Sequence, residues 1–278
     1  PYGAVPDAKY NDFSPAATIS YAVNDDINVY ARYARGFKSG GFNGETNVFA
    51  APTAACPTGA LELCDPYRPE KVDSYELGLK TRLLDGKLIF NVAAFQDEHK
   101  DIQLSVFTAS GAAASIVRNA AAARIRGLEF ETVVRPVDAV TLNASLAILD
   151  AKYKSYLDGG VDVANNRAFP HTPKTTASAG LDVRLAKGEW GKVNVYADVN
   201  HVSSYFTFPY AFTTPTVSDQ DAYNTRSKGR TLVNLRLSVA DIPLGGARAE
   251  ISGWVRNLTK EANPSNFIDF GPGFGGLT

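Results

Sequence analysis

Methionine is missing from the 278 residues, and cysteine (two), tryptophan (two) and histidine (three) are scarce. The first stretch, PYGAVPDAKY, has neither the basic start nor the apolar core of a signal peptide. With no initiator residue either, the expectation is an internal piece of a longer protein. No apolar run approaches the roughly 20 residues that a membrane-crossing helix needs. That excludes helical spans but not a membrane protein built of strands, whose signal per segment is far weaker. An excess of one charge is lacking as well. The 28 Lys and Arg against 29 Asp and Glu leave a formal net charge of −1. Such a balance offers no basic footprint for nucleic acid, so no nucleic-acid partner is expected, and there is no acidic tail.

Chemistry-bearing motifs are thin too. Cys56 and Cys64 share one polar, proline-containing stretch, APTAACPTGALELCDPYRPE. The expectation is a disulfide in an oxidising compartment; two free thiols in a cytosolic protein are the alternative. Two thiolates without a nearby histidine leave a structural zinc two ligands short. His99 sits among acids in QDEHKDIQ and reads as a solvated strand extension, and His171 opens a strand in FPHTPK. GPGFGG at 271–276 fits the dinucleotide spacing but has no helix after it. Asn143 and Asn257 head N-x-S/T triplets inside predicted strands, so glycosylation is dismissed. No phosphate loop, paired-histidine zinc motif or nucleophile elbow occurs. No enzyme activity, cofactor or metal is expected.

What the chain has is alternation. Helical periodicity is absent, while period-two patterning rich in Val, Ile, Tyr, Phe and Thr recurs. It predicts ten strands near 13–23, 27–36, 72–82, 87–104, 120–134, 139–151, 174–186, 191–205, 229–240 and 247–258. In VTLNASLAIL, Val140, Leu142, Ala144, Leu146 and Ile148 point one way and Thr141, Asn143 and Ser145 the other. Tight turns (NDD, LLDG, RPVD, KGEWG, DIPLGG) join the strands in pairs. Long connections at 37–71, about 105–119, 152–173 and 206–228 alternate with them. A soluble sandwich has no reason to keep that order, whereas a barrel crossing a bilayer does. The expected fold class is therefore all-β: an antiparallel transmembrane barrel, present as about ten consecutive strands. Aromatic residues near strand ends (Tyr30, Tyr33, Phe37, Phe95, Tyr153, Tyr156, Tyr205, Phe206, Phe208) are candidates for interfacial girdles.

Four segments carry a family resemblance. They are YARGFKSGGFNG (33–44), YRPEKVDSYELGLKTRLLDGKLIFNVAAFQDEHKDIQ (67–103), RIRGLEFE (124–131) and WVRNLTKE (254–261). In this order, on predicted hairpins, they resemble the barrel of TonB-dependent outer-membrane receptors. That resemblance implies a 22-stranded barrel around an N-terminal plug, of which residues 1–278 would be the C-terminal portion, roughly strands 12 to 21, without the plug or the last strand. It implies active uptake of a scarce solute too large for porins, such as a ferric siderophore, cobalamin or an oligosaccharide. It also implies energy from the TonB complex acting through the plug, and a bacterial outer-membrane location among lipid and lipopolysaccharide. A passive porin-type channel and a soluble β-sandwich binding module are the alternatives.

Two residue sets follow. Arg32, Glu76, Lys80, Glu129, Glu131, Arg236 and Arg256 fall on the wet phase and are expected to face the lumen. Arg35, Lys38, Asn43, Tyr67, Arg68, Tyr205, Phe208 and Tyr210 lie near the long loops and are expected to contact the solute. Aromatic and guanidinium groups suit a large polar ligand through stacking and bidentate hydrogen bonds.

Overall fold

The structure, a computed structural model, describes residues 8–42, 66–108, 114–158, 160–207 and 226–262. Thirteen strands occur in chain order: β1 (Ala16–Asn24), β2 (Ile27–Lys38), β3 (Glu70–Leu83), β4 (Leu88–Thr108), β5 (Ala114–Val137), β6 (Val140–Asp158), β7 (Val161–Asp162), β8 (Thr175–Gly188), β9 (Gly191–Val202), β10 (Tyr205–Phe206), β11 (Arg226–Ser227), β12 (Arg230–Leu244) and β13 (Ala247–Val255). Ten of them make one antiparallel sheet in the order β1-β2-β3-β4-β5-β6-β8-β9-β12-β13, with β7 paired to the end of β6. The ten predicted strands are these ten. Each is hydrogen-bonded to its sequence neighbour, as a meander built from hairpins requires.

The turns explain the register. Between β3 and β4 the chain reverses over Leu84, Asp85 and Gly86, all at positive φ. Glycine takes that conformation without steric cost, and Gly86 N–H donates to the Leu83 carbonyl at 3.1 Å. β5 and β6 meet across Asp138 and Ala139, and β12 and β13 across Gly245 and Gly246. These turns pin the pairing, and pairing decides which side chains share a face.

Register sorts the sheet into two faces. Ala31, Leu77, Ala94, Leu128 and Ile148 lie opposite one another across five strands. Toward the turns on the same face, Leu83, Leu88, Val134, Leu142, Leu181, Ala197, Leu235 and Val255 form another cross-strand row. No described residue covers this apolar face: Leu77 is 63% exposed, Leu237 51% and Ile251 70%. Among the described residues there is no second large sheet to pack on it, so the buried face of a sandwich is missing. Fully removing such a side chain from water is worth about 1.5–3 kcal/mol. Here only an apolar surrounding supplies that gain, as hydrocarbon does for a spanning strand.

The band has sharp limits. At the turn end the outward row is Val137, Val140, Val183, Val195 and Leu237. At the other end, the rim, it gives way to Tyr33, Tyr75, Gln96, Arg126 and Asp150, then to Arg35, Asp73, Glu98, Arg124 and Lys152. On β6 the apolar stretch thus runs from Val140 to Ile148, close to the roughly 9–11 residues of a tilted spanning strand.

Two expectations are corrected. The segment 105–119 is largely strand: β4 runs to Thr108 and β5 starts at Ala114, their pairing continuing through register shifts between His99 and Gln103. A hairpin that continues beyond the bilayer keeps its own ladder, so its composition loses the apolar alternation while its pairing persists. Of the candidate girdle aromatics, Tyr33 sits with Tyr75 at the upper edge of the apolar face, ring centroids 5.2 Å apart. Tyr30 and Phe95 instead belong to the wet face, opposite Gly78 and Gly127. An aromatic near a strand end has equal access to either face, and only parity decides. Phe208 lies outside the described residues.

Candidate functional site

The wet face is built from the complementary parity. Arg32 stands opposite Glu76. Asn28, Lys80, Asn91, Glu131, Ser145, Ser178 and Asn200 follow one another across neighbouring strands. Tyr30 Oη donates to Glu76 Oε1 at 2.5 Å, and the Lys80 ammonium lies 5.4 Å from the centroid of the same ring. Ser145 and Ser178 share a hydrogen bond of 2.8 Å, and Asp198 accepts from the amides of Asn200 and Asn234 at 2.6 and 2.8 Å. Glu129, opposite Ala93, is on this face, as is Arg236, which pairs with Glu250. Arg256 follows the end of β13. Near the turns, a hollow of about 670 Å³ opens between Asp182, Lys192, Tyr196, Arg236, Arg248 and Glu250.

Rings fill the places where this face has no side chain. A Cβ on Gly78 would lie 2.3–2.5 Å from the ring and hydroxyl of Tyr30. On Gly127 it would lie 2.8 Å from Phe95 and 2.7 Å from the Ile148 carbonyl oxygen. On Gly180 it would lie 2.7 Å from the Tyr196 hydroxyl. An aromatic that covers a cross-strand glycine shields backbone the glycine leaves bare.

The rim contains a polar knot and an aromatic cluster. In the knot, Gly41 and Tyr67 exchange backbone hydrogen bonds of 3.1 and 2.9 Å, closing the base of the first long connection. Arg68 N–H donates to Asn119 Oδ1 and its guanidinium to Asp101 at 2.6 Å. Asn119 Nδ2 in turn donates to the carbonyls of Arg68 and Asp101, both at 2.7 Å. Gln103 adds bonds to the carbonyls of Ser39 and Arg68. Asp101 holds φ at 54°, the left-handed turn that breaks the β4 ladder and frees its carbonyl for Asn119.

In the cluster, Tyr153 stacks on Phe169 at 4.2 Å and meets Tyr156 edge-on at 5.1 Å. The Arg167 guanidinium lies over Tyr156 at 5.2 Å, and that of Arg226 over Phe206 at 5.4 Å. His171 and Tyr205 rings are 5.8 Å apart, with the His171 N–H on the Phe206 carbonyl at 2.7 Å. Tyr153 lies beyond the apolar stretch of β6, and burial pushes its phenol up to about 12.

The sequence-predicted contact residues separate. Tyr67 and Arg68 enter the knot, and Tyr205 enters the aromatic cluster. Lys38 stands opposite Glu70 with the parity of Arg32. Arg35 has the parity of Tyr33 and is held by Asp73 at 2.7 Å. Asn43, Phe208, Tyr210, Cys56 and Cys64 lie outside the described residues. Sequence reasoning missed Asn119, because it placed 105–119 in a loop, and it gave Asp101 and Gln103, inside the predicted strand 87–104, no part in a site. It also missed Phe169 and Arg167, which have no periodic context to mark them.

Comparison with known proteins completes the picture. The family model described as TonB dependent receptor-like, beta-barrel matches residues 2–258. The ferric yersiniabactin uptake receptor FyuA from Yersinia pestis superposes with a TM-score of 0.66 at 20% identity, covering 92% of this chain and 34% of that one. BauA, the ferric preacinetobactin receptor from Acinetobacter baumannii, gives 0.64 at 19% identity, covering 95% and 34%. The pyoverdine outer membrane receptor FpvA from Pseudomonas aeruginosa gives 0.58 at 17%, covering 91% and 33%. The chain thus spans about a third of the length of these structures, which share its fold. With its two-faced sheet, its paired hairpins and a family match over nearly its whole length, this chain belongs to the TonB dependent receptor-like β-barrel family and is a strand-crossed segment of a Gram-negative outer-membrane protein.

Proposed function

We propose that this chain is part of the barrel wall of a TonB-dependent importer for a large, scarce solute, a ferric siderophore before cobalamin or an oligosaccharide. Family membership carries the reading. The titles of the similar structures name ferric siderophore receptors, which sets the order of cargo classes. In this reading Arg32, Glu76, Lys80, Glu129, Glu131, Arg236 and Arg256 hydrate the lumen and face a plug within it. Lys38 and Tyr205 contact the solute at the rim, together with Asn43, Phe208 and Tyr210 from the long connections. Tyr67 and Arg68 act one step back, by fixing the base of the connection from which such contacts are made, and Arg35 braces the rim through Asp73. Cargo release follows plug movement driven through the TonB complex and needs no covalent chemistry.

The test is uptake by whole cells carrying the full-length protein, with labelled ferric siderophores, cobalamin and oligosaccharides offered in turn. Saturable uptake of one of them that disappears when TonB is deleted is the expected result. Uptake unchanged without TonB would favour the passive-channel reading and sink this one.

A further inference from the structure

Resting on the importer reading, we infer that the cargo is a polyanionic ferric chelate of the catecholate class, and that Lys174 and Arg230 are the wall residues that select its charge. The first observation is where positive charge on the wet face goes unanswered. On β2 and β3 each cation toward the wet rim has a carboxylate across the ladder: Arg32 stands opposite Glu76 and Lys38 opposite Glu70. Asp97 and His99 continue that sector on β4, with Glu70 3.6 Å from the His99 ring. From β8 to β12 the arrangement differs. The Lys174 carbonyl accepts the Leu149 N–H at 2.8 Å, which sets Lys174 beside Leu149, two residues from Thr176 and with its wet parity. Arg230 stands opposite Val202, and Val202 opposite Thr176. Both cations thus have apolar cross-strand neighbours, and neither makes an ion pair among the described residues. Lys174 is exposed and Arg230 half-buried. A cation to which the wall supplies no counter-charge keeps its attraction for a mobile anion.

The second observation is spacing. In the sheet, β12 lies two strands from β8, so the two cations stand about 12 Å apart at the backbone. Four residues above Leu149 on β6, with the same parity, is Tyr153, stacked on Phe169 at 4.2 Å. Both rings are half-buried and form an aromatic wall about 13 Å above Lys174. Two long, flexible side chains at that separation reach opposite sides of one chelate, while the rings above meet its aromatic donors.

Charge separates the cargo classes. Catecholate donors are doubly charged, so three of them around Fe(III) leave a trianion. Hydroxamate donors are singly charged, and three leave a neutral complex. Only the trianion gains from two cations without wall partners, and it is also the aromatic one of the two. An uncharged oligosaccharide falls with the hydroxamate.

The test uses cells that carry the full-length protein and no other iron-chelate receptor. They are offered a radio-iron tris-catecholate, a radio-iron trihydroxamate of similar size and a labelled uncharged oligosaccharide. TonB-dependent uptake of the tris-catecholate should half-saturate at a concentration roughly tenfold lower than that of either other probe. K174Q/R230Q should raise that concentration roughly tenfold at an unchanged maximal rate, K174R/R230K should restore most of it, and K187Q at the turn end should change nothing. A merely structural role would lower the maximal rate instead. Should K174Q/R230Q fail to fold, salt decides on the wild type. In isolated outer membranes, tris-catecholate binding should weaken severalfold as ionic strength rises from about 0.01 to 0.15 M. Equal or better TonB-dependent uptake of the trihydroxamate or the oligosaccharide overturns the assignment and leaves the importer reading standing. Salt-independent binding, or half-saturation unchanged in K174Q/R230Q, does the same. Uptake of none of the three removes the importer reading and this inference with it.

Discussion

At Gly127 there is room for a hydrogen atom and nothing larger. An added methyl would meet the Ile148 carbonyl oxygen at 2.7 Å, and backbone cannot step aside. At Gly78 the obstacle is the far end of the Tyr30 side chain, which can swing. G127A should therefore cost more than G78A, about 2–3 against about 1 kcal/mol, read from unfolding of the full-length barrel in urea. Equal losses would mean that the β5–β6 ladder shifts as readily as a tyrosine ring. A second residue-scale effect is electrostatic. Asp162, in the connection after β6, accepts the N–H groups of Tyr156 and Ala164, both at 3.0 Å, and these bonds hold its carboxyl below the ordinary carboxylate range. Because the folded pKa lies below the unfolded one, this clamp is complete at neutral pH and is lost as pH falls through the folded value. D162A should be cleaved by proteases in the 159–174 segment faster than wild type at pH 7, and the difference should vanish in the acid range. A ratio independent of pH would remove the clamp from the account.

At the scale of elements, parity is the testable quantity. Leu142 and Asn143 are neighbours in β6, with Leu142 opposite Leu181 and Asn143 opposite Gly180. In the outer membrane, L142C should react only with a lipid-soluble maleimide and N143C with a water-soluble one. Equal reaction of both with the aqueous reagent would break the two-faced sheet. The rim knot gives another test: N119A removes three hydrogen bonds that tie β5 to Arg68 and Asp101. It should raise hydrogen exchange in residues 66–70 and at Gly41 severalfold, with little change in the turns at the opposite end.

These elements also show what was readable beforehand. Alternation in β3, β6 and β9 gave both strand and face, since each side chain meets one of two solvents. The tight turns were legible from Asn, Asp and Gly. The extensions of β4 and β5 were not, because above the bilayer no solvent contrast imposes a pattern and ladder bonds alone sustain the strand. Arg68 was singled out for its chemistry, but its partner Asn119 lies 51 residues away. No local signal links residues that meet only through register. Tyr30 and Phe95 were misassigned for a related reason, since sidedness needs the pairing as well as the residue type.

For the whole molecule, the two ends of the sheet matter most. Among the described residues β1 pairs only with β2, and β13 only with β12. Each outermost strand leaves a row of backbone donors and acceptors that hydrocarbon cannot satisfy, so the parent must join these edges to further strands. Residues 8–262 alone should thus aggregate when refolded into detergent, where the full-length protein gives the compact, heat-modifiable band of a closed barrel. A monomeric, heat-modifiable product from the fragment would mean that it closes on itself.

The ring-over-glycine pairs have one more consequence. Tyr30, Phe95 and Tyr196 act like tiles, each reaching over a glycine where the adjacent strand is bare. Filling a socket would tip its tile into the bore, so the calibre of the passage is set by hydrogen atoms on glycines that no cargo touches.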